Sequence, residues 1–404
     1  MVAPALDGLR AACGEVTEAG VDDVVDEVPA RWVARPISTS EVSAVLRAAA
    51  GLGLHVVARG TGTRLCWGAP PRELDLIVDT SRMNEVVAHA AGDLVVTAQA
   101  GLTLADLQDA LAPYGQRLAL DGGGTIGGTI ATATAGPLRY RYGSVRDLII
   151  GITVVLADGT VTKAGGTVVK NVAGYDLAKL YTGSLGTLGI ITEAVFRLHP
   201  LPEVSRWITV TAPDPARAAD SVAAVRDSQN DAVAIEVDRA APSGPVTVGV
   251  AVEGVAEGIG ARADDVARLL GEAAQANATI AETPPPWWGL APYPPQRPWV
   301  VLTCVPTGLG DLLGAAPGAL RGSAGAGVLA AGLPDDDRLG PELADLRGIA
   351  TRHGGSAVLR CTPPQRAAGL DMWGPVPALA LMRRLKDEFD PEHLLAPGRF
   401  VGGI

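Results

Sequence analysis

Glycine placement constrains this chain more than any other feature. Two segments concentrate it early: ARGTGTR (Ala58–Arg64) and DGGGTIGGTIATATAG (Asp121–Gly136). A third, longer stretch spans Gly143 to Ala194 and carries GSVRD, VVKNVAGYDLAKLYTG and GTLGIIT. These glycines fall at strand ends and tight turns, where bare backbone approaches a ligand closely. Successive N–H groups in such turns form anion-binding nests. Spread over three segments, they predict a long, flat, polyanionic ligand, such as a dinucleotide, threaded between subdomains.

The usual dinucleotide fold is excluded. It needs GxGxxG at a strand-to-helix turn and an acidic residue about 20 positions on. Gly60-Thr61-Gly62 follows a strand, but TRLCWGAPP cannot start a good helix. No GxxxxGK[ST] occurs, so a P-loop is excluded too.

Local patterns predict the elements around these turns. In STSEVSAVLRAAAGLG, Ser40 is read as a helix N-cap, with Val42, Val45, Leu46 and Ala49 at helical spacing. HVVA (55–58), LDLIVDT (74–80), LVVTAQA (94–100), 148–157 and 192–198 read as strands. Asp158-Gly159 signals a hairpin. Thr103 and Asp106 open a helix to about Pro113. Asp176 is read as the cap of the helix LAKLYT, which ends at Gly183. Composition shifts after HPLP: 203–285 alternates strands with two amphipathic helices, an antiparallel α+β layer. PPPWWGLAPYPPQRP (284–298) is a loop, Gly308–Gly332 is a poorly specified small-residue stretch, and a helix over 378–389 precedes DPEHLLAPGRF.

Composition bounds the partners. The net charge is −11 and no basic tract occurs, so nucleic acid is not expected as a partner. Cys13, Cys66, Cys304 and Cys361 lie far apart with no CxxC, which predicts buried free thiols rather than a disulfide framework or iron–sulfur site. No apolar run reaches the length of about 18 residues that spans a bilayer. No basic region precedes an apolar core at the start of the sequence. A cytoplasmic protein is expected, with any membrane contact made through partner subunits.

The ordered set RGTGT, TIGG, RYGSVRD, GYDLAKL and GTLGIIT resembles the vanillyl-alcohol-oxidase-type (PCMH-type) FAD-binding domain. The resemblance implies an α+β fold: a two-subdomain FAD-binding domain over 29–202, preceded by an N-terminal segment (1–28). A reduced antiparallel-sheet cap (203–365) and a C-terminal segment (366–404) returning to the FAD domain follow. It implies that the backbone of Arg59, Gly60, Thr61, Gly62 and Thr63 wraps the FAD pyrophosphate. Thr125, Ile126, Gly127, Gly128 and Ala131 would line pyrophosphate and flavin. Gly143, Ser144 and Asp147 would approach the ribityl or adenosine portion, and Gly189 and Ile191 would present backbone groups. The first loop offers Thr63 and Arg64 rather than His, and Cys66 is poorly framed for attachment, so the FAD is expected to be non-covalent.

Related 2-hydroxy-acid dehydrogenases also carry GDGNxH-type and EHGIG-type segments that supply metal ligands and a base. Neither occurs here. His55, His89, His199, His353 and His393 are not at ligand spacing, so no metal site is expected and no catalytic residue is assigned. VVKNVAGYDLAKL, the short cap and the GGSAVLRCTPP…LMRRLKDEFDPEHLLAPGRF ending resemble, more closely, the smaller of the FAD-binding subunits of bacterial glycolate oxidase. That implies oxidation of a small-molecule 2-hydroxy acid (glycolate or D-lactate) within a complex that holds a larger flavoprotein subunit and an iron–sulfur subunit. A flavin-bearing relay subunit without turnover and a self-sufficient oxidase stay open beside it. Arg64, Arg139, Arg141 and Arg297 are equivalent candidates for a carboxylate anchor. Trp287, Trp288 and Tyr293 either wall the flavin, dock a partner or pack the loop.

Overall fold

Short β-branched runs build the first layer. The computed structural model describes residues 2–167, 175–294, 297–367 and 369–404; VVKNVAG (168–174) lies outside the described residues. Val16–Glu18, Trp32–Ala34, Leu76–Asp79 and Val56–Arg59 form a sheet in that order, parallel except for its first pair. Strand alternation sends Trp32, Ala34, Val56, Leu76 and Val78 to one face. The helix Thr39–Gly51 covers that face with Val42, Val45, Leu46 and Ala49. Val33, Val57 and Ile77 point the other way, onto Val25, Leu74 and Ala396.

The cap of that helix is Ser38, not Ser40. Ser38 Oγ accepts from the Glu41 N–H at 3.2 Å, and Glu41 reaches back to the Ile37 N–H. The S-x-x-E spacing that signals a helix start therefore lies two residues earlier.

A five-stranded antiparallel sheet follows, ordered Val161–Gly165, Ile149–Val155, Ile190–Arg197, Val95–Gln99, Val86–Ala90. The Asp158-Gly159 turn joins its first hairpin, with Gly159 at φ 82°. The helices Leu104–Leu111 and Ile126–Thr132 pack their apolar sides onto this sheet. Asp176 does not cap the following helix. That helix spans only Ala178–Tyr181 and has no side-chain cap, and Asp176 pairs with Lys179 at 2.9 Å instead.

Val204 to Cys361 contribute an eight-stranded, wholly antiparallel sheet. Its order is Thr279–Ala281, Val204–Ala212, Val246–Gly254, Ala234–Arg239, Leu320–Ser323, Val328–Gly332, Trp299–Thr303, Ala357–Cys361. Two βαββαβ units make it, joined edge to edge where Ala234–Arg239 meets Leu320–Ser323. The four cap helices Pro215–Arg226, Ala256–Ala274, Leu309–Ala315 and Leu339–Arg352 bury one sheet face in a single core.

The stretch Gly308–Gly332, poorly specified in sequence, thus supplies a helix and two central strands. Its composition follows from crowding: a Cβ at Gly318, Gly322 or Gly327 would strike neighbouring backbone. Glycine there serves close approach, which blurs the hydrophobic period.

The helix Leu379–Phe389 and the final loop return to the first sheet, where Leu395 bridges Val56. Lys386 anchors the return. Its Nζ donates to Asp390 at 2.5 Å and to the carbonyls of Thr187 and Leu395, with both charged side chains fully buried. Among the described residues, no helix is long and apolar enough to cross a membrane.

Candidate FAD site and adjoining cavity

The strand Val56–Arg59 delivers its C-terminal end into an exposed loop. Among the described residues, the backbone N–H groups of Gly60, Thr61, Gly62 and Thr63 donate no hydrogen bond within the chain. Gly62 takes φ 76°, a left-handed turn suited to glycine. A Cβ on Gly60 would strike the Thr125 side chain, so the loop lies directly against the next glycine segment. Four free donors on close-packed backbone form a cradle for an anionic ligand such as a pyrophosphate.

A groove runs along this loop. Arg59, Gly60, Thr61, Gly62, Thr63, Thr125, Gly127, Gly128, Ala131, Gly189 and Ile191 line it together, as do Gly186 and Arg399, which sequence reasoning alone misses. Ile126 does not; its side chain is buried in the core beneath. The Arg59 guanidinium is turned away from the groove's chemistry. It binds Asp79 at 2.9 Å and Asp23 at 2.7 Å, so only its backbone is available.

The final loop holds the cradle in place. Arg399 donates to the carbonyls of Leu65 and Trp67 at 2.5 and 2.8 Å, and pairs with Asp26 at 3.5 Å. Burial pushes the Arg399 pKa down, and Asp26 opposes that. The signal for Arg399 is present in LLAPGRF but points to the loop as a whole.

Arg64 and Thr132 belong both to the groove and to a cavity of about 700 Å³ between the first domain and the cap sheet. Gly143, Ser144 and Asp147 line this cavity rather than the groove. Asp147 accepts from the Ser144 N–H and hydroxyl at 2.8 and 2.9 Å, capping the turn Val145–Leu148.

The cap sheet faces the cavity with its side opposite the helices. Ile235 and Val237 enter the helix-side core, so Glu236 points the other way. The same alternation presents Arg321, Ser323 and Arg360. Arg321 is occupied by Asp238 at 2.6 Å. Trp299, stacked on Tyr293 at 4.6 Å and edge-on to Trp67 at 5.1 Å, makes an aromatic wall. Trp287 and Trp288 instead pack over Gly249 on the sheet.

Of the four arginines proposed as anchors, two reach the cavity. Arg64 donates to the Gly123 carbonyl at 2.5 Å. Arg139 makes no side-chain hydrogen bond or ion pair among the described residues, and neither does Arg360. Arg141 pairs with Asp231, and Arg297 with Asp335 at 3.1 Å; neither lines the cavity. Burial pushes the pKa of Arg139 and of Arg360 down.

Glu236 is 3% exposed. Burial raises its carboxyl to about 8, with a further push from Asp121 and an opposing pull from Ser323, Arg139 and Arg321. Neither Glu236 Oε1 nor Ser323 Oγ completes a hydrogen bond among the described residues. No histidine lines the cavity among the described residues. His353 pairs with Asp311 at 2.8 Å, and His55 lies 3.2–3.3 Å from Glu73 and Asp75. No group of three His, Cys, Asp or Glu among the described residues is placed to hold a metal ion.

The family model described as "FAD binding domain" matches residues 30–165. Over 180 residues the chain is 38% identical to the glycolate oxidase subunit GlcD of Bacillus subtilis, covering 44% of this chain and 38% of that protein. Over 171 residues it is 38% identical to a D-lactate dehydrogenase of Archaeoglobus fulgidus, covering 42% and 38% respectively. The chain thus spans about two fifths of the length of these relatives. Its fold matches a solved structure of p-cresol methylhydroxylase with a TM-score of 0.77 at 18% identity, over 98% of this chain and 96% of that one. Residues 30–165 therefore form an FAD-binding domain, carried in a chain with the fold of p-cresol methylhydroxylase.

Proposed function

We propose that this chain is an FAD-dependent oxidoreductase acting on a small 2-hydroxy acid, glycolate or D-lactate, to give the 2-oxo acid. The observation that carries this reading is the continuity of groove and cavity through Arg64 and Thr132. Gly60–Thr63 would hold the cofactor, and the groove they line meets a cavity lined by Arg139, Arg360 and the buried carboxyl of Glu236. A bound flavin supplies an electrophilic N5 that accepts hydride. The chain's own part is to hold that cofactor by backbone donors, anchor an anionic substrate and exclude water with the Trp67–Trp299–Tyr293 wall. The likeness to the GlcD protein and to D-lactate dehydrogenases supports the substrate class.

On this reading the chain is the smaller FAD-binding component of a glycolate-oxidase-type complex. Its partners are a larger flavoprotein subunit and an iron–sulfur subunit, and its FAD is non-covalent. The histidine-free lining favours one second reading, a flavin-bearing relay subunit that turns over nothing itself. Anaerobic mixing with glycolate or D-lactate separates the two. Bleaching of the visible flavin band in the isolated protein is expected. Bleaching only after the larger subunit is added would favour the relay. No bleaching by either acid, alone or with partners, would overturn the substrate assignment.

A further inference from the structure

Three side chains of the cavity each keep one buried polar atom without a hydrogen bond among the described residues. Glu236 and Ser323 are 3% and 4% exposed, yet each keeps a side-chain oxygen without a hydrogen bond among the described residues. Arg360 Nε is likewise buried and unpaired. Leaving such groups unsatisfied is costly, more so for charged ones, so a native fold retains them for a reason. All three project from one face of the cap sheet, on strands that the duplicated architecture sets near its centre and at its edge. Arg139 faces them from the first domain.

The charges around Glu236 are mixed. Asp121 approaches from the loop before Ile126–Thr132, Arg139 from the first domain, and Arg321 from the adjacent strand, where Asp238 already neutralises it. Arg360 feels Arg139 as a like charge and has no carboxylate of its own. Arg139 feels the Glu236 and Asp147 carboxylates without bonding either, and Arg360 lies 5.9 Å over the Trp67 ring, so among the described residues neither guanidinium donates a hydrogen bond and both can take an anion. The Glu236 carboxyl, near Arg139 in the same cavity, needs a ligand atom that donates to it or accepts from it.

We infer that Glu236 is the proton-exchanging group of this cavity, hydrogen-bonding the second oxygen of a small carboxylate that Arg139 and Arg360 hold by its charge. It occupies the place in the chemistry that a histidine fills elsewhere, and a group poised near neutrality suits that task. The inference rests on the proposed use of the cavity for a 2-hydroxy acid, and it names the groups that would meet it. Ser323 lies beside the Glu236 carboxyl, where its hydroxyl opposes the upward push of burial.

Calorimetric titration of the flavin-loaded protein with oxalate, a redox-inert dicarboxylate, tests it. At pH 8, binding is expected to take up a fraction of a proton, read from its dependence on buffer ionisation enthalpy. Glu236→Gln is expected to bind oxalate but to lose that uptake. Arg360→Met and Arg139→Met are each expected to weaken binding about tenfold or more. Proton uptake unchanged in E236Q, or oxalate binding indifferent to both arginine changes, would overturn the inference. Circular dichroism and flavin content of each variant separate a lost site from a lost fold. Tight oxalate binding with no bleaching by glycolate or D-lactate would leave this site standing and sink the substrate reading instead.

Discussion

Arg117 and Glu253 clamp the two halves of the molecule with a two-pronged ion pair. Nη1 meets Oε1 at 2.8 Å and Nη2 meets Oε2 at 2.5 Å. The Tyr142 hydroxyl closes the triangle, donating to Glu253 at 3.2 Å and accepting from Arg117 at 3.1 Å. Arg117 and Tyr142 come from the first domain, and Glu253 is the next-to-last residue of the cap strand Val246–Gly254. Both charged side chains are only 12% exposed, so the pair is shielded from solvent.

Removing one partner leaves the other buried and unpaired. Glu253→Ala is therefore expected to destabilise the protein by about 3 kcal/mol. The double change with Arg117→Met should cost less than the sum of the two single changes. Urea midpoints of the four proteins check this; additive losses would show that the pair is not coupled.

The first glycine loop makes a sharper prediction about the cofactor. Gly62 sits at φ 76° in an exposed loop with free neighbouring N–H groups. Gly62→Val strains that backbone and fills the cradle with a branched side chain. Purified variant is expected to be folded and colourless. A variant as yellow as the parent would remove this loop from the cofactor site.

Glu236 makes apoprotein stability depend on pH. Its carboxyl is held at about 8 in the folded state against an ordinary value of 4.5. The folded state therefore binds the extra proton between those values, and stability falls as pH rises through that window. The full effect is on the order of 5 kcal/mol. Asp26 and Asp121, each raised to about 6 mainly by burial, add to the loss below that pH. Thermal midpoints of the apoprotein should drop from pH 5 to pH 8, and Glu236→Gln should flatten the part between 6 and 8. An unchanged slope in that variant would show that another group titrates.

Lys386 should be as costly to remove as any residue outside the core. Its ammonium is fully buried against Asp390, Thr187 O and Leu395 O, and burial pushes its pKa down. Lys386→Met leaves the Asp390 carboxylate unpaired and is expected to cost about 3–5 kcal/mol. Because Leu395 and Arg399 follow on the same loop, flavin retention should fall with it. A variant of parental stability would mean that water replaces the ammonium.

Much of the candidate groove is legible in the sequence because its logic is local. RGTGT follows a strand, and the TIGG glycines mark close backbone approach, whereas the Thr125 cap of the helix they open is seen only in the structure. The cap's chemistry is not legible. Glu236 sits in AVAIEVD, where two carboxyls alternate with apolar residues as in any half-exposed strand, and Arg360 sits in AVLRC with the same appearance. Only sheet register shows that both face one chamber. Arg139 and Arg141 differ by two positions on a single helical turn, yet one enters the cavity and the other meets Asp231 at the surface. Helical direction at a one-turn element cannot be read from composition. The misplacement of the helix start at Ser40 has a simpler cause: two serines compete within three residues, and Glu41 decides between them.

We propose that backbone donors hold FAD without a covalent link. Visible absorbance of the purified protein, before and after acid precipitation, tests this. Yellow protein is expected to yield a yellow supernatant and a white pellet, with the released chromophore identified as FAD. A colourless protein from a flavin-replete preparation, or colour that stays in the pellet, would contradict it.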